Sequence, residues 1–284
     1  SFSDAYEADT LGGGGDQLQE SVVGGITLNV SDANGIYEAC EAYACMGDFR
    51  AKMLFDKGGV NLAAVNNEGD SLLVMALQQD NVKVVKLLIH LKADLSGINK
   101  EGHTLLAIAL LRDNIEAAKV LIDARADLMK AINCNGDTLL MMAIKRNNLL
   151  FSKLLIERGI DINTVNQEGD SALGVALKAD NSESAVVAKL LIDKGADLSV
   201  VNEEGDSLLM LALERNRDGM ANMLIDIGAD LSVVNKEGHT VLTIAYIQKG
   251  NSRVAKVLIE KGANFTVVSK DLDDTLLMVA IKRN

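Results

Sequence analysis

One line recurs seven times along this chain, and its spacing restricts the fold more than any other feature. The copies are GDSLLVMAL from Gly69, GHTLLAIAL from Gly102, GDTLLMMAI from Gly136, GDSALGVAL from Gly169, GDSLLMLAL from Gly205, GHTVLTIAY from Gly238 and DDTLLMVAI from Asp273. Successive copies are 33, 34, 33, 36, 33 and 35 residues apart. A fixed period of this size predicts a row of small stacked units, because one such unit cannot bury its apolar face alone. Function in such arrays lies on an extended surface rather than in one deep pocket.

Each unit parses the same way. Ser71, Thr104, Thr138, Ser171, Ser207, Thr240 and Thr275 stand where a helix N-cap belongs. Their hydroxyls can accept from free amides of the first turn. A short first helix follows, with Leu73, Leu106, Leu140, Leu173, Leu209, Leu242 and Leu277 aligned, and Ala76 and its equivalents three residues on. A small residue there lets neighbouring helices approach closely. Asn81, Asn114, Asn148 and Asn181 open the second helix, which ends in an apolar triplet such as Leu87-Leu88-Ile89. Gly159, Gly195, Gly228 and Gly262 then suit a left-handed helix terminus. Lys92 and Arg125 hold that position in two units, where a positive φ costs about 1 kcal/mol or more. The stretches Asp197–Gly205 and Asp230–Gly238 read as short β-like arms of a projecting hairpin turn.

The chain divides accordingly. Residues 1–31, with the run Gly12 to Gly15, read as a flexible leader in which Ile26–Val30 is extended. Residues 32–284 form the repeat domain: a degenerate first unit over 32–67, six full units over about 68–270, and a partial unit over 271–284. In the first unit Ile36–Cys45 and Phe49–Phe55 are predicted helices. Three extra residues fall around Ser182–Ala185. Cys40, Cys45 and Cys134 are too few for a disulfide framework and suit a reducing compartment, so a cytoplasmic location is expected, with any targeting segment missing from this sequence.

These features resemble the ankyrin repeat family. The period, the Gly-Xaa-Thr-Xaa-Leu-Xaa-Xaa-Ala core, the Leu-Leu-Ile second helix and the Gly-Ala-Asp-Leu connectors at Gly195–Leu198 and Gly228–Leu231 carry the likeness over Asp32 to Asn284. The resemblance implies an all-α fold: a repeat α-solenoid of stacked helix–turn–helix units with short projecting β-hairpin-type loops. The family's T-P-L-H-x-A signature is altered here. Its Pro position holds Leu72, Leu105, Leu139, Ala172, Leu208, Val241 and Leu276, and its His position holds Val74, Ala107, Met141, Gly174, Met210, Thr243 and Met278. Apolar contacts must replace whatever that His supplies. Met141, Met142, Met210 and Met278 are read as core filling.

No nucleophile–base set, phosphate loop or zinc spacing is present, and no catalytic residue, cofactor or metal ligand is assigned. His103 and His239 occupy one site on units four apart, so they cannot share a metal. The resemblance places binding on the concave face, at the hairpin tips and the exposed sides of the first helices. By position, the tip residues are Asp70, His103, Asp137, Asp170, Asp206 and His239, read as an acidic ladder beside Glu68, Glu101, Glu168, Glu204 and Glu237. The first helices end in a mixed-to-basic row with Arg112, Lys145, Arg146 and Arg215, in which Leu111 and Ile247 are candidate apolar anchors. The formal charge of −12 argues against nucleic acid and points to a protein partner with a basic surface. No apolar run spans a bilayer. The expected function is a non-catalytic scaffold or adaptor, of a kind that can serve as a subunit of a larger complex. The other expectation is a regulatory arm of a longer enzyme or channel, with the C-terminal end covered by further chain or by a partner.

Overall fold

The computed structural model describes residues 20–23, 26–29, 32–46, 60–126, 135–179, 181–247 and 252–264. Two strands, β1 (Glu20–Val23) and β2 (Ile26–Asn29), pair antiparallel in register from Glu20 opposite Asn29 to Val23 opposite Ile26. They lie within the stretch read as a leader, and β2 packs on α1 (Ala33–Met46). Asp32 caps α1, its Oδ1 accepting from the Gly35 amide at 2.8 Å. The helix expected over Phe49–Phe55, residues 127–134 and the partial unit over 271–284 lie outside the described residues.

Six helix pairs follow: α2 (Leu72–Gln78) and α3 (Val82–His90), α4 (Leu105–Leu111) and α5 (Ile115–Asp123), α6 (Leu139–Lys145) and α7 (Leu149–Glu157). Then come α8 (Ala172–Lys178) and α9 (Ser182–Asp193), α10 (Leu208–Glu214) and α11 (Asp218–Asp226), α12 (Val241–Ile247) and α13 (Ser252–Glu260). Each first helix packs on the first helices of adjacent units, from α2 through α12, and on its own second helix. The result is two helical layers sharing one apolar seam, in which Leu73, Leu106, Leu140, Leu173, Leu209 and Leu242 are at most 1% exposed. Ala76, Ala109, Ala143, Ala176 and Ala212 are fully buried between them, as the need for close backbone approach requires. Met141 and Met210 are fully buried too.

The caps explain why the helices begin where they do. Ser71, Thr104, Thr138, Ser171 and Ser207 sit in extended backbone, and each side chain accepts from the amide three residues on at 3.3–3.4 Å. Asn81, Asn114, Asn148 and Asn181 cap the second helices in the same manner. Asp80, Asp113, Asn147 and Asn216 make the tight turn between helices at φ 53–57°, a conformation that Asn and Asp tolerate better than most side chains. Beyond the second helices, Gly159, Gly195, Gly228 and Gly262 take positive φ, and Lys92 (φ 63°) and Arg125 (φ 66°) share that strained geometry.

The inserted residues lengthen α9 at its start, giving 12 residues where the other second helices of these pairs have nine. Packing between α9 and α11 is the weakest in the outer layer. Arg217 spans that junction. Its guanidinium donates to Ser184 Oγ at 3.2 Å and to the Ala176 carbonyl at 3.4 Å. Arg217 stands where earlier units have a capping Asn, and α11 has no side-chain cap.

Short fingers project between units. Val65, Ile98, Val165, Val201 and Val234 each form one antiparallel bridge with the Ser or Thr cap six residues later. Adjacent fingers also bond to one another: the amides of Gln167, Glu203 and Lys236 donate to the carbonyls of Asn135, Glu168 and Glu204 at 2.8–2.9 Å. The Lys100 amide makes no such bond with the Glu68 carbonyl. There the fingers are joined by Lys100 Nζ on Glu68 Oε2 at 2.6 Å.

Candidate functional site

The fingers and the ends of the first helices meet through one recurring spacing. Where the residue after the finger Gly is an Asp, it lies beside the residue eight positions later, at the end of the first helix. Gln78 Nε2 donates to Asp70 Oδ2 at 3.0 Å, Lys145 Nζ to both Asp137 oxygens at 2.8 Å, and Lys178 Nζ to Asp170 Oδ2 at 2.6 Å. In the fifth pair the eighth residue is Glu214 beside Asp206. Where the first member is His103 or His239, the eighth is Leu111 or Ile247. In the four Asp units a carboxylate therefore faces an amide, an ammonium or a second carboxylate.

This geometry corrects the acidic ladder. Asp70, Asp137, Asp170 and Asp206 are only 1%, 1%, 2% and 7% exposed. The preceding Gly at φ between 71° and 82° turns the chain so that each carboxylate points beneath its finger. The Asn that begins the turn holds the same residue from behind, with Asn66 Oδ1 accepting from the Asp70 amide at 2.9 Å and Asn202 Oδ1 from the Asp206 amide at 2.8 Å. Asn166 Nδ2 reaches back to Asp137 Oδ1 at 2.9 Å, and Asn235 Nδ2 to Asp206 Oδ1 at 2.7 Å. Asn202 Nδ2 instead turns to Asp206, which leaves Asp170 Oδ1 buried without a hydrogen-bond partner.

Two carboxyls are shifted by these surroundings. Burial pushes Asp170 above the usual carboxylate range, against the opposing pull of Lys178. Burial also raises Glu214, with Asp206 the next cause and Glu237 of the following finger adding to it. His103 and His239 are partly buried, each with Nδ1 3.3 Å from the Glu two residues before it.

The other assigned residues divide. Arg112, Arg146 and Arg215 are exposed at the ends of α4, α6 and α10, and they form the open part of the basic row. Lys145 is in that row but already neutralised by Asp137. Leu111 and Ile247 are half-buried. Glu68, Glu101, Glu168, Glu204 and Glu237 are exposed at the finger turns, so the acidic ridge is made of glutamates and not of aspartates.

One row escaped the sequence reading. Val65, Ile98, Val165, Val201 and Val234 are 56%, 45%, 48%, 44% and 47% exposed, one in each described finger. The signal is the motif Val/Ile-Asn-Xaa-Glu-Gly. Its Asn is less than a tenth exposed at Asn99, Asn166, Asn202 and Asn235, so the strand alternation turns the preceding β-branched residue outward.

Among the described residues no group of three His, Cys, Asp or Glu side chains could hold a metal, and no helix is long and apolar enough to cross a membrane. The Cys40 thiol is buried and pushed up to about 12, which leaves it unreactive.

A family model described as ankyrin repeats in three copies matches residues 93–166, 140–235 and 184–269, together more than half of the chain. No curated protein matches. Among solved structures, the ankyrin repeat domain of Bcl-3, described as a unique member of the IkappaB family, is 26% identical with a TM-score of 0.64. That likeness covers 77% of this chain and all of that domain. An ankyrin repeat domain from Acinetobacter baumannii is also 26% identical (TM-score 0.59), over 68% of this chain and 98% of that one. The human ASB11 ankyrin repeat domain shares the fold at 22% identity and a TM-score of 0.56, over 81% of this chain and 98% of that one.

Proposed function

The chain belongs to the ankyrin repeat family, whose repeats generally mediate protein–protein interaction, and from that premise we propose a non-catalytic scaffold or adaptor that binds a partner along its fingers and first-helix ends. The observation that carries the reading is the separation of buried from open charge on this face. Lys145 and Lys178 neutralise Asp137 and Asp170, while Asp70 and Asp206 are buried beside Gln78 and Glu214. Glu168 and Glu204, and Arg112, Arg146 and Arg215, are exposed, in register from unit to unit and without an ion pair among the described residues. Charges that stay free are available to steer and select a partner. The acidic finger ridge and the net charge of −12 favour a basic protein surface against the fingers.

Crosslinking mass spectrometry on the native complex tests this, with a reagent that joins carboxylates to lysines. Links from Glu168, Glu204 or Glu237 to partner lysines are the expected result. Links confined to the outer helices, for example at Glu116 or Glu157, count against it.

A further inference from the structure

Isolated exposed aliphatic residues are ordinary on protein surfaces. The finger row is different because it repeats. Val65, Ile98, Val165, Val201 and Val234 sit at the same position of every described finger, each about half exposed. Three residues after each stands an exposed Glu. Five fingers thus present an apolar side chain and a carboxylate together along one edge of the stack, whereas Asn135 stands in the Glu position of the finger that ends at Gly136.

The period limits what can lie against such a row. Packed helices are about 8–10 Å apart, so consecutive fingers repeat at about that distance. A β-strand covers it in three residues, which turns every second contact to the wrong side. An α-helix advances about 10.5 Å in seven residues and returns to nearly the same face. The carboxylates call for Lys or Arg beside that stripe.

Resting on the interaction reading above, we infer that the finger row docks a basic amphipathic helix of a partner protein, which places one aliphatic side chain per seven residues against successive valines and basic residues against the neighbouring glutamates. The fingers from Val165 to Val234 form the best-ordered segment of the seat, since backbone bonds from Glu203 to Glu168 and from Lys236 to Glu204 fix their mutual spacing. Three such contacts need a helix of about three heptads, roughly 20 residues.

The test uses the full chain and three fluorescein-labelled synthetic helices of 22 residues. The first carries Leu every seventh residue flanked by Lys in an Ala/Gln background. The second has the same composition with its leucines shifted off one face. The third has the Lys replaced by Glu. Fluorescence anisotropy is expected to show the first binding at least tenfold more tightly than either of the others. V165T/V201T/V234T keeps β-branched side chains in the fingers and removes apolar surface, and it is expected to weaken binding tenfold or more. E168Q/E204Q/E237Q is expected to weaken it and flatten its salt dependence. E157Q/E260Q, on the outer helices, is expected to bind as the unaltered chain does.

Thermal melts show that each variant is folded, and V201T alone serves if the triple variant is not. Equal binding of the first two peptides, or no effect of the valine changes, overturns the inference. Loss of binding in E157Q/E260Q equal to that of the finger variants moves the seat off the fingers and overturns it as well. If no peptide binds while crosslinks still map to the finger glutamates, the helical docking is overturned and the broader interaction reading stands. If the crosslinks fall on the outer helices, both fail.

Discussion

Asp137 holds two donors, Lys145 Nζ and Asn166 Nδ2. Removing it as Asp137→Ala strands both, one of them buried, and is expected to cost about 1–3 kcal/mol in a urea titration. Asp170→Lys should be worse, because it sets a second ammonium beside Lys178 at a site 2% exposed. A loss of about 3 kcal/mol or more is expected. Glu214 goes the other way. Its carboxyl is raised, so the folded chain binds that proton more readily than the unfolded chain does. Stability from this group is therefore present at low pH and is lost as pH rises through the raised value. Glu214→Gln should stabilise the fold at pH 7 by some tenths of a kcal/mol up to about 1, seen as a higher melting temperature, and the gain should vanish as pH falls below the usual carboxylate range. The repeat period gave the register of these positions but not their direction. A Gly at positive φ reorients the residue after it, and nothing in the spacing of Asp70 or Asp206 tells whether that residue ends above or below its finger. The covarying eighth residue was the usable clue, since Lys145 and Lys178 follow an Asp while Leu111 and Ile247 follow a His.

Elements were more legible than directions. Hydroxyl caps, capping Asn residues, apolar triplets and terminal glycines are chemical requirements of helix ends, so they stand in the sequence at fixed places. The junction between α9 and α11 was only half legible: the insertion showed as a longer spacing, whereas the bridging role of Arg217 needs three dimensions. Arg217→Leu should lose its bonds to Ser184 and to the Ala176 carbonyl, at about 1–2 kcal/mol by chemical denaturation. The fingers offer a sharper comparison. A Cβ at Gly169 would lie 3.1 Å from the Asn202 carbonyl carbon and the Glu203 nitrogen, whereas a Cβ at Gly228 meets nothing within 4 Å. Both positions have positive φ. Gly228→Ala is expected to cost about 1 kcal/mol. Gly169→Ala should cost clearly more, because two backbones held together by the Glu203 to Glu168 bond would have to part. Equal midpoints for the two variants would show that the finger contact contributes nothing.

At the scale of the whole molecule, each unit touches only its neighbours, so stability spreads as a chain of local couplings. Hydrogen exchange should reveal where those couplings lie. The amides of Gln167, Glu203 and Lys236 are expected to exchange slowly, and the Lys100 amide, which lacks the equivalent bond, far faster. The array as a whole was readable from its period and its strings, while the outward valines were hidden by an alternation only two residues long inside a turn. The junction at α9 and α11 has a mechanical meaning. Backbone bonds stitch one edge of the stack there while the opposite edge is loosely filled, so strain applied to the ends would spread the outer edge like a fan pivoting on its rivet. Bending would then be concentrated in a single joint, leaving the segments on either side to swing as stiff arms.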